Sequence, residues 1–541
     1  MNRRESWLTA SEWALALGLA GLLLFVHVQN WLHAPWLWRD EISTLHISTA
    51  PTLSELWTRM EWESSPLLWP LTLRGWSSLG LGSSPLALRA LSLAVGVGAL
   101  ASLFFALRRV AGTVPLLALL LVAANPNVLR FGDTLRAYCL GLLLATLLVV
   151  ALWRLTLRVA KRETFVAALL AIACVQCLYH NAVVVLALCT GCAVAWAARG
   201  RIREALVPLA VGGLAALSLL PYAGPLGRAR EWNMIIRAPV DAAWLLAKLR
   251  ATIDIGGPWL SIAWLALALA ALAACAWRIL KPEPGSESAA SRRAGAAFFA
   301  VALVVGVAVY ATFLILVGYP TQAWYYFSLL GLAAVLIESA LHVELDGAYA
   351  WRVSRIALFV IGLAIVVPAL WRGQPARMTN LDRVAATLAA QARPDDLILV
   401  APWYLGIAFD HYYTGKTPWL GVPEVGDHTL TRYDLVKALM LRPDAVRPIA
   451  DRAQETLQRH GRVWLVGELP LADGNPPPRA PPLAPDSPLG WGELGYQLLW
   501  SREVAHRLQV YASRVSHVPL GDLGVVSPFE NPQLYRFEAA P

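Results

Sequence analysis

Residues 11–46 read SEWALALGLAGLLLFVHVQNWLHAPWLWRDEISTLH, and the change of character inside this stretch decides the fold. From Trp13 to Val28 nearly every residue is apolar, and with its flanks the run at 11–32 reaches the roughly 20 residues that a membrane-crossing helix needs. Polar and aromatic residues follow, and then Asp40 and Glu41 side by side. Two adjacent carboxylates repel each other, so they need water, a cation or a chemical task. Working outward, similar runs recur at 86–107, 111–128, 138–157, 164–180, 181–198, 205–222, 258–280, 296–317, 325–341 and 354–371. The stretch 164–198 also reads as one long helix, but Tyr179, His180 and Asn181 at its middle favour a hairpin, because such side chains seek an interface. The fold expected is a polytopic α-helical membrane protein of about eleven spans, with an upper bound of thirteen.

Composition agrees. Only 15% of the 541 residues are charged and 57% are hydrophobic, against roughly 25% charged in soluble domains. The net charge of +9 sits in short basic clusters between apolar runs, which reads as topology and not as a nucleic-acid surface. Many of the 24 tryptophans lie at run ends, where an aromatic belt would place them. The spacings Cys174-x2-Cys177 and Cys189-x2-Cys192 imitate a zinc ribbon, but Cys174 and Cys192 lie in apolar sequence, about 27 Å apart if one helix holds both. Helix packing is the simpler reading for them. The first run is long and lacks a small-residue cleavage pattern, so an uncleaved span is expected.

With Arg3 and Arg4 in the cytoplasm, alternation over eleven spans puts Arg108–Arg109, Arg154 to Arg162, Arg199 to Arg203, Arg278 to Arg293, and Arg352 with Arg355 on the same side. This holds only if the half-apolar stretch Pro66 to Gly80 does not cross, and its two prolines and Arg74 make it a poor span. With the N-terminus cytoplasmic, a first outer loop 33–85 and a C-terminal domain 372–541 are expected on the extracytoplasmic side of the membrane. Two strand-like segments, 395–401 and 461–466, with polar helical sequence between them, make that tail an α/β domain beside the transmembrane domain 1–371. Pro470 to Pro488 reads as an irregular loop.

Three polar constellations then face one compartment: Asp40 and Glu41 with His46; Arg130, Asp133 and Arg136; and Arg228, Arg230, Glu231, Arg237, Lys248 and Arg250. Basic groups at a lipid boundary can hold a lipid-linked phosphate, and a carboxylate can act as general base toward an incoming hydroxyl. For each residue a plainer reading stands beside the functional one. Asp40 can be a solvated interfacial acid, Glu41 a helix cap, Arg136 a snorkelling anchor and His180 a satisfied turn residue. His411 and Asp410 read as surface or packing residues.

Ordered motifs over nearly the whole chain resemble the GT-C membrane glycosyltransferases, in the broad bacterial group related to protein O-mannosyltransferases and lipid A aminoarabinose transferase (glycosyltransferase family 39-like). They are RDEIST with Asp40 and Glu41, ESSPLLWPLTLRGW from Glu63, ALRALSLAVG with Arg89, LRAYCLGLLLATLL with Arg136 and Tyr138, and LYHNAVVVLAL with Tyr179 and His180. The resemblance implies inverting transfer of a glycosyl group from a polyprenyl-phosphate sugar, at the outer face, to a lipid, glycan or protein acceptor of the envelope. It implies Asp40 and Glu41 as catalytic residues, Arg136, Asp133, Tyr138 and Arg89 as donor or phosphate contacts, and His46, His180 and Glu63 as further substrate-site residues. Membrane lipids are expected partners; nucleic acid is not. No obligatory metal is expected, although Asp40, Glu41, Asp133 and His46 offer ligands for a divalent cation. Three positions depart from the pattern: Thr134 stands where relatives often have Glu, Trp324 where they often have Arg before Tyr325, and Ser65 where they often have the first proline of a pair. The rival readings are a polytopic transporter or flippase, which would place ionisable groups near the midplane and show repeats, and a non-catalytic subunit of an envelope assembly.

Overall fold

The computed structural model describes residues 3–254, 257–281, 287–470 and 492–540. The chain forms two compact units: residues 1–32, 64–223 and 240–374 make up the first, and residues 33–63, 224–239 and 375–541 the second.

The first unit is helical. Among the described residues, eight helices in the chain are long and apolar enough to cross a membrane. They include α1 (Arg3–His33), which leads out of this unit, and the helices Pro85–Val110, Tyr138–Leu157, Trp259–Leu280, Glu287–Val317 and Tyr349–Arg372. Lys161–Cys177 and Asn181–Ala197 are shorter, 17 residues each, and a turn at 178–180 joins them, so 164–198 is a hairpin and not one helix. The part of 66–80 that is α-helical, Leu68–Trp76, has nine residues and is too short to span. Helices approach closely at small residues: a Cβ on Gly191 would lie 2.8 Å from the Phe298 carbonyl oxygen. All six cysteines are free and buried, and the Cys177 thiol donates to the Ala137 carbonyl at 3.4 Å.

One expected span differs. The run 111–128 is not a single helix but a short turn Leu116–Ala118, a π-helical turn Leu119–Ala123 and a helix Pro126–Gly132. Pro115 and Pro126 lack N–H donors and interrupt the ladder. The N–H groups of Leu116, Leu117 and Ala118 donate instead to the buried carboxylate of Glu338, at 2.9, 3.1 and 2.9 Å. Glu338 lies 3.3 Å from Arg355 Nη1, whose Nη2 is 2.5 Å from Glu12, and Glu12 also binds Arg352 at 2.6 Å. Hydropathy registers the apolar run but not the carboxylate that receives its broken end. Among the described residues no group of three or more His, Cys, Asp or Glu side chains is gathered as a metal site.

The second unit is built on a mixed five-stranded sheet. Its strands are β2 (Leu397–Ala401), β3 (Trp419–Gly421), β4 (Val463–Gly467), β5 (Arg514–His517) and β7 (Leu534–Glu538), in the order β3-β2-β4-β7-β5. β2 pairs in parallel with β3 and β4, while β7 runs antiparallel to β4 and β5. A separate parallel pair joins β1 (Ala376–Arg377) to β6 (Val525–Val526). The two strands legible in sequence are β2 and β4, buried along their whole length, as parallel strands covered on both faces must be. Gly467 ends β4 at φ 110°, where a Cβ would lie 1.7 Å from the Ala401 carbonyl oxygen, so only glycine fits. The helices Arg447–Gln458 and Glu493–Tyr511 supply Ile449, Ala453, Trp500 and Leu508 to the core of this unit. The proline-rich loop expected at 470–488 lies, apart from Pro470, outside the described residues.

Residues 33–63, read from sequence as part of the first outer loop, fold with 375–541. Tyr412 Oη accepts the Leu37 N–H at 2.8 Å and donates to the Leu37 carbonyl at 2.9 Å, and the Arg377 guanidinium lies 4.2 Å from the centre of the Trp36 ring. One hydroxyl thus satisfies both main-chain hydrogen-bonding groups of Leu37.

Candidate functional site

The acids at 40 and 41 open α2 (Arg39–Ser48), where carboxylates in the first turn complement the exposed N–H groups of the helix. Their side chains do different things. Glu41 is fully buried, and its Oε2 accepts the Trp38 N–H at 3.0 Å, closing the turn as an N3 acid reaching back to the cap. The Asp40 side chain keeps 27% of its surface open, and its Oδ1 lies 3.4 Å from Arg39 Nε. Glu63, also buried, accepts from the Thr44 hydroxyl at 2.7 Å. His46 Nδ1 is 2.8 Å from the Thr429 carbonyl, which fixes Nδ1 as the protonated nitrogen, and its ring is 6.2 Å from that of His411.

Arg39 ties this turn together. Its guanidinium lies 4.3 Å from the centre of the Tyr404 ring and 5.3 Å from that of Trp38, and Nη1 donates to the Phe529 carbonyl at 3.2 Å. Its main-chain N–H donates to Glu530 Oε2 at 3.1 Å. Glu530 is buried, and burial pushes its carboxyl up to about 7 against the pull of Arg39. Burial disfavours the charged guanidinium, but Asp40 and Glu530 outweigh it and raise Arg39 further. Neither Arg39 nor Glu530 stood out in the sequence. Glu530 sits in an ordinary loop, SPFENP, 491 residues from Arg39.

The second set of expected residues lies in the helical unit. Asp133 follows the helix Pro126–Gly132 and accepts from two residues of α1, with His27 Nδ1 at 2.6 Å and Asn30 Nδ2 at 2.9 Å. His27 and Asn30 were missed in the sequence. Their three-residue spacing, which puts both on one face at the polar end of the first apolar run, was the available signal. Arg89 is buried and donates from Nη1 to the Asp133 carbonyl at 2.7 Å. Arg136 is buried too; Nη2 donates to the Ser64 hydroxyl at 2.5 Å, and the guanidinium lies 5.8 Å from the centre of the Tyr138 ring. Tyr138 stacks on Trp324 at 5.8 Å, and Trp324 meets Phe131 at 4.5 Å, so the residue standing in place of an arginine fills an aromatic cluster. Thr134, standing in place of an acid, is buried and donates to the Phe131 carbonyl at 2.5 Å. His180 precedes the helix Asn181–Ala197 with its ring edge-on to Tyr310 and Tyr325, at 6.1 and 5.8 Å; its Nε2 has no hydrogen-bond partner among the described residues.

The third constellation is dispersed. Arg228 pairs with Glu61 in the sheet-containing unit. In the helical unit Arg250 is 3.4 Å from Asp254, and Lys248 lies over the ring of Trp244 at 5.4 Å.

No family model and no curated protein sequence matches the chain. Among solved structures, it is similar to the Archaeoglobus fulgidus oligosaccharyltransferase in its apo form, with a TM-score of 0.49 and 13% identity over 84% of this chain and 69% of that one. It is also similar to ArnT from Cupriavidus metallidurans bound to undecaprenyl phosphate, with a TM-score of 0.46 and 12% identity over 84% of this chain and 92% of that one. A third is the oligosaccharyltransferase AglB from Archaeoglobus fulgidus in complex with an inhibitory peptide and a dolichol-phosphate, with a TM-score of 0.45 and 12% identity over 94% of this chain and 73% of that one.

Proposed function

We propose that this chain is an inverting membrane glycosyltransferase that takes a sugar from a polyprenyl-phosphate donor and passes it to an envelope glycolipid, polysaccharide or protein. The N-terminus is cytoplasmic in this reading, and the sheet-containing unit and the site lie at the outer face of a bacterial cytoplasmic membrane. One observation carries the proposal. Of the three acids the motifs single out between α1 and the end of 33–63, Glu41 and Glu63 are buried, while the Asp40 side chain keeps 27% of its surface open. A general base must reach its proton, so Asp40 is the base and Glu41 holds the turn that carries it.

In the reaction the acceptor hydroxyl oxygen attacks the anomeric carbon. The bond from that carbon to the phosphate oxygen breaks, the polyprenyl phosphate leaves with the electron pair, and Asp40 takes the hydroxyl proton. Arg136 is the proposed donor-phosphate contact, since a guanidinium offers planar donors matched to phosphate oxygens. Asp133 is the proposed substrate contact of the helical unit, oriented by His27 and Asn30. A transporter reading would start from the buried charges Glu12, Glu338 and Arg355. They bind one another and the N–H groups of 116–118, which supports a structural role for them.

The test uses the full-length protein in membranes with a panel of undecaprenyl-phosphate hexoses and pentoses, read by the mass shift of lipids and proteins. Asp40→Asn keeps the size of the side chain and removes the base, and a loss of about 10²–10⁴ in turnover is expected. Near-normal turnover in Asp40→Asn, or no transfer by the wild type from any donor, would sink the reading.

A further inference from the structure

Glu530 takes no part in the reaction as drawn, yet it is the buried carboxylate bound to the residue next to Asp40. Its position is set by its own backbone: its N–H donates to the Ser527 carbonyl at 3.2 Å, and its carbonyl accepts the Asn380 N–H at 3.3 Å. From there Oε2 accepts the N–H of Arg39, the first residue of α2, at 3.1 Å and lies 3.9 Å from Arg39 Nη1. The other edge of the same guanidinium is 3.4 Å from Asp40. One cation is therefore shared between a buried carboxylate and a partly open one. We propose that Glu530 is a positioning residue for Asp40: it holds the first turn of α2 through the Arg39 N–H and shares the charge of Arg39 with Asp40, so that Asp40 does not balance that charge alone. This inference rests on Asp40 being the base of the proposed transfer.

The physical basis is competition for Arg39. When Glu530 is ionised, the guanidinium is balanced from its buried side and the N–H of Arg39 has a charged acceptor, which binds about twice as strongly as a neutral one. When Glu530 is protonated, Asp40 from the same turn and Glu493 at the start of the helix Glu493–Tyr511 are left to balance Arg39, and Asp40 carries more of that charge than before. Burial puts that change near neutral pH, at about 7. The groups facing Glu530 are Arg39 and Asp40 from α2, Thr379 ahead of the helix Leu381–Gln391, and Tyr404 and Tyr412 from the start and end of the helix Leu405–Tyr412. The two tyrosines are themselves raised, by burial first, and stay neutral through this range. The clamp is then engaged above about pH 7 and released below it.

Hydrogen exchange on the full-length protein in detergent tests this without any substrate. Peptides covering 36–48 are followed at pH 6 and pH 8, with exchange times corrected for intrinsic chemistry. In the wild type the first turn of α2 should be about five- to tenfold better protected at pH 8, the difference between a charged and a neutral acceptor. Glu530→Gln should hold the low, pH 6 level at both values, and its kcat at pH 8 should fall toward the wild-type value at pH 6 with donor KM unchanged. Peptides covering β2 and β4 report whether that variant is folded. Equal protection of the wild type at the two pH values overturns the proposal with no variant needed, and so does a Glu530→Gln protein that keeps the pH response. A wild type that shows the exchange pattern but transfers no sugar from the donor panel keeps the clamp and removes the glycosyl-transfer reading instead.

Discussion

Glu41 separates an acid that reacts from an acid that holds a backbone turn. Its carboxylate is buried and accepts the Trp38 N–H at 3.0 Å, ahead of the helix that carries Asp40. Glu41→Gln keeps a side-chain oxygen at the same reach and removes the charge, so the lost term is a carboxylate's attraction to the helix N-terminus, about 0.3–1 kcal/mol. Glu41→Ala removes the acceptor as well. The Trp38 N–H is then buried without a partner, which costs about 1–3 kcal/mol, and a cavity adds to it. Turnover of the two purified variants on a donor identified by the panel, next to Asp40→Asn, is the assay. Glu41→Gln should retain turnover to within about fivefold, as expected from a change of about 1 kcal/mol if all of it reached the transition state. Glu41→Ala should lose more, together with weakened protection of α2, because Asp40 loses its support. A Glu41→Gln protein that folds normally and loses as much as Asp40→Asn would refute the reasoning and make Glu41 the base.

Arg136→Ala should raise the apparent KM for the lipid-linked donor by about ten- to a hundredfold, the worth of a hydrogen bond to a charged group, and Arg136→Lys should recover little if a planar fork is needed; an unchanged KM in both variants would make Arg136 an interface anchor. Asp396 is buried and accepts from Arg462 at 2.7 Å, from Trp464 Nε1 at 2.9 Å and from the Arg393 N–H at 2.9 Å. Burial opposes its charge, but these donors outweigh that and hold its carboxyl below the ordinary value, so the stability it contributes is present above the unfolded value and lost as pH falls through the folded one. Hydrogen exchange of β2 and β4 should therefore show loss of protection below about pH 4, and Asp396→Asn should weaken these strands at pH 7 and flatten that acid response. A reporter active only in the cytoplasm, fused after Trp371, should be silent in the proposed topology; a bright signal would remove the outward placement of Asp40.

The sequence by itself determined the helical body, the α/β tail and the opening of α2. Hydropathy is a local quantity, and a run of about 20 apolar residues, or a short one such as LILVA at 397–401, says where a segment is buried without reference to its partners. Asp40 stood out as a candidate for the same reason, as an acid placed soon after such a run. The partners of each polar group were not. Glu338 receives the N–H groups of residues about 220 positions away, Asp133 meets His27 across 106, and Arg39 meets Glu530 across 491. The tertiary structure alone decided that 111–128 breaks and that 33–63 folds with 375–541. It also decided that Glu41 faces inward while Asp40 stays open. A buried charge takes the partner that the chain path brings to it. That path is set by the packing of all the helices and strands together, which no local window of residues contains.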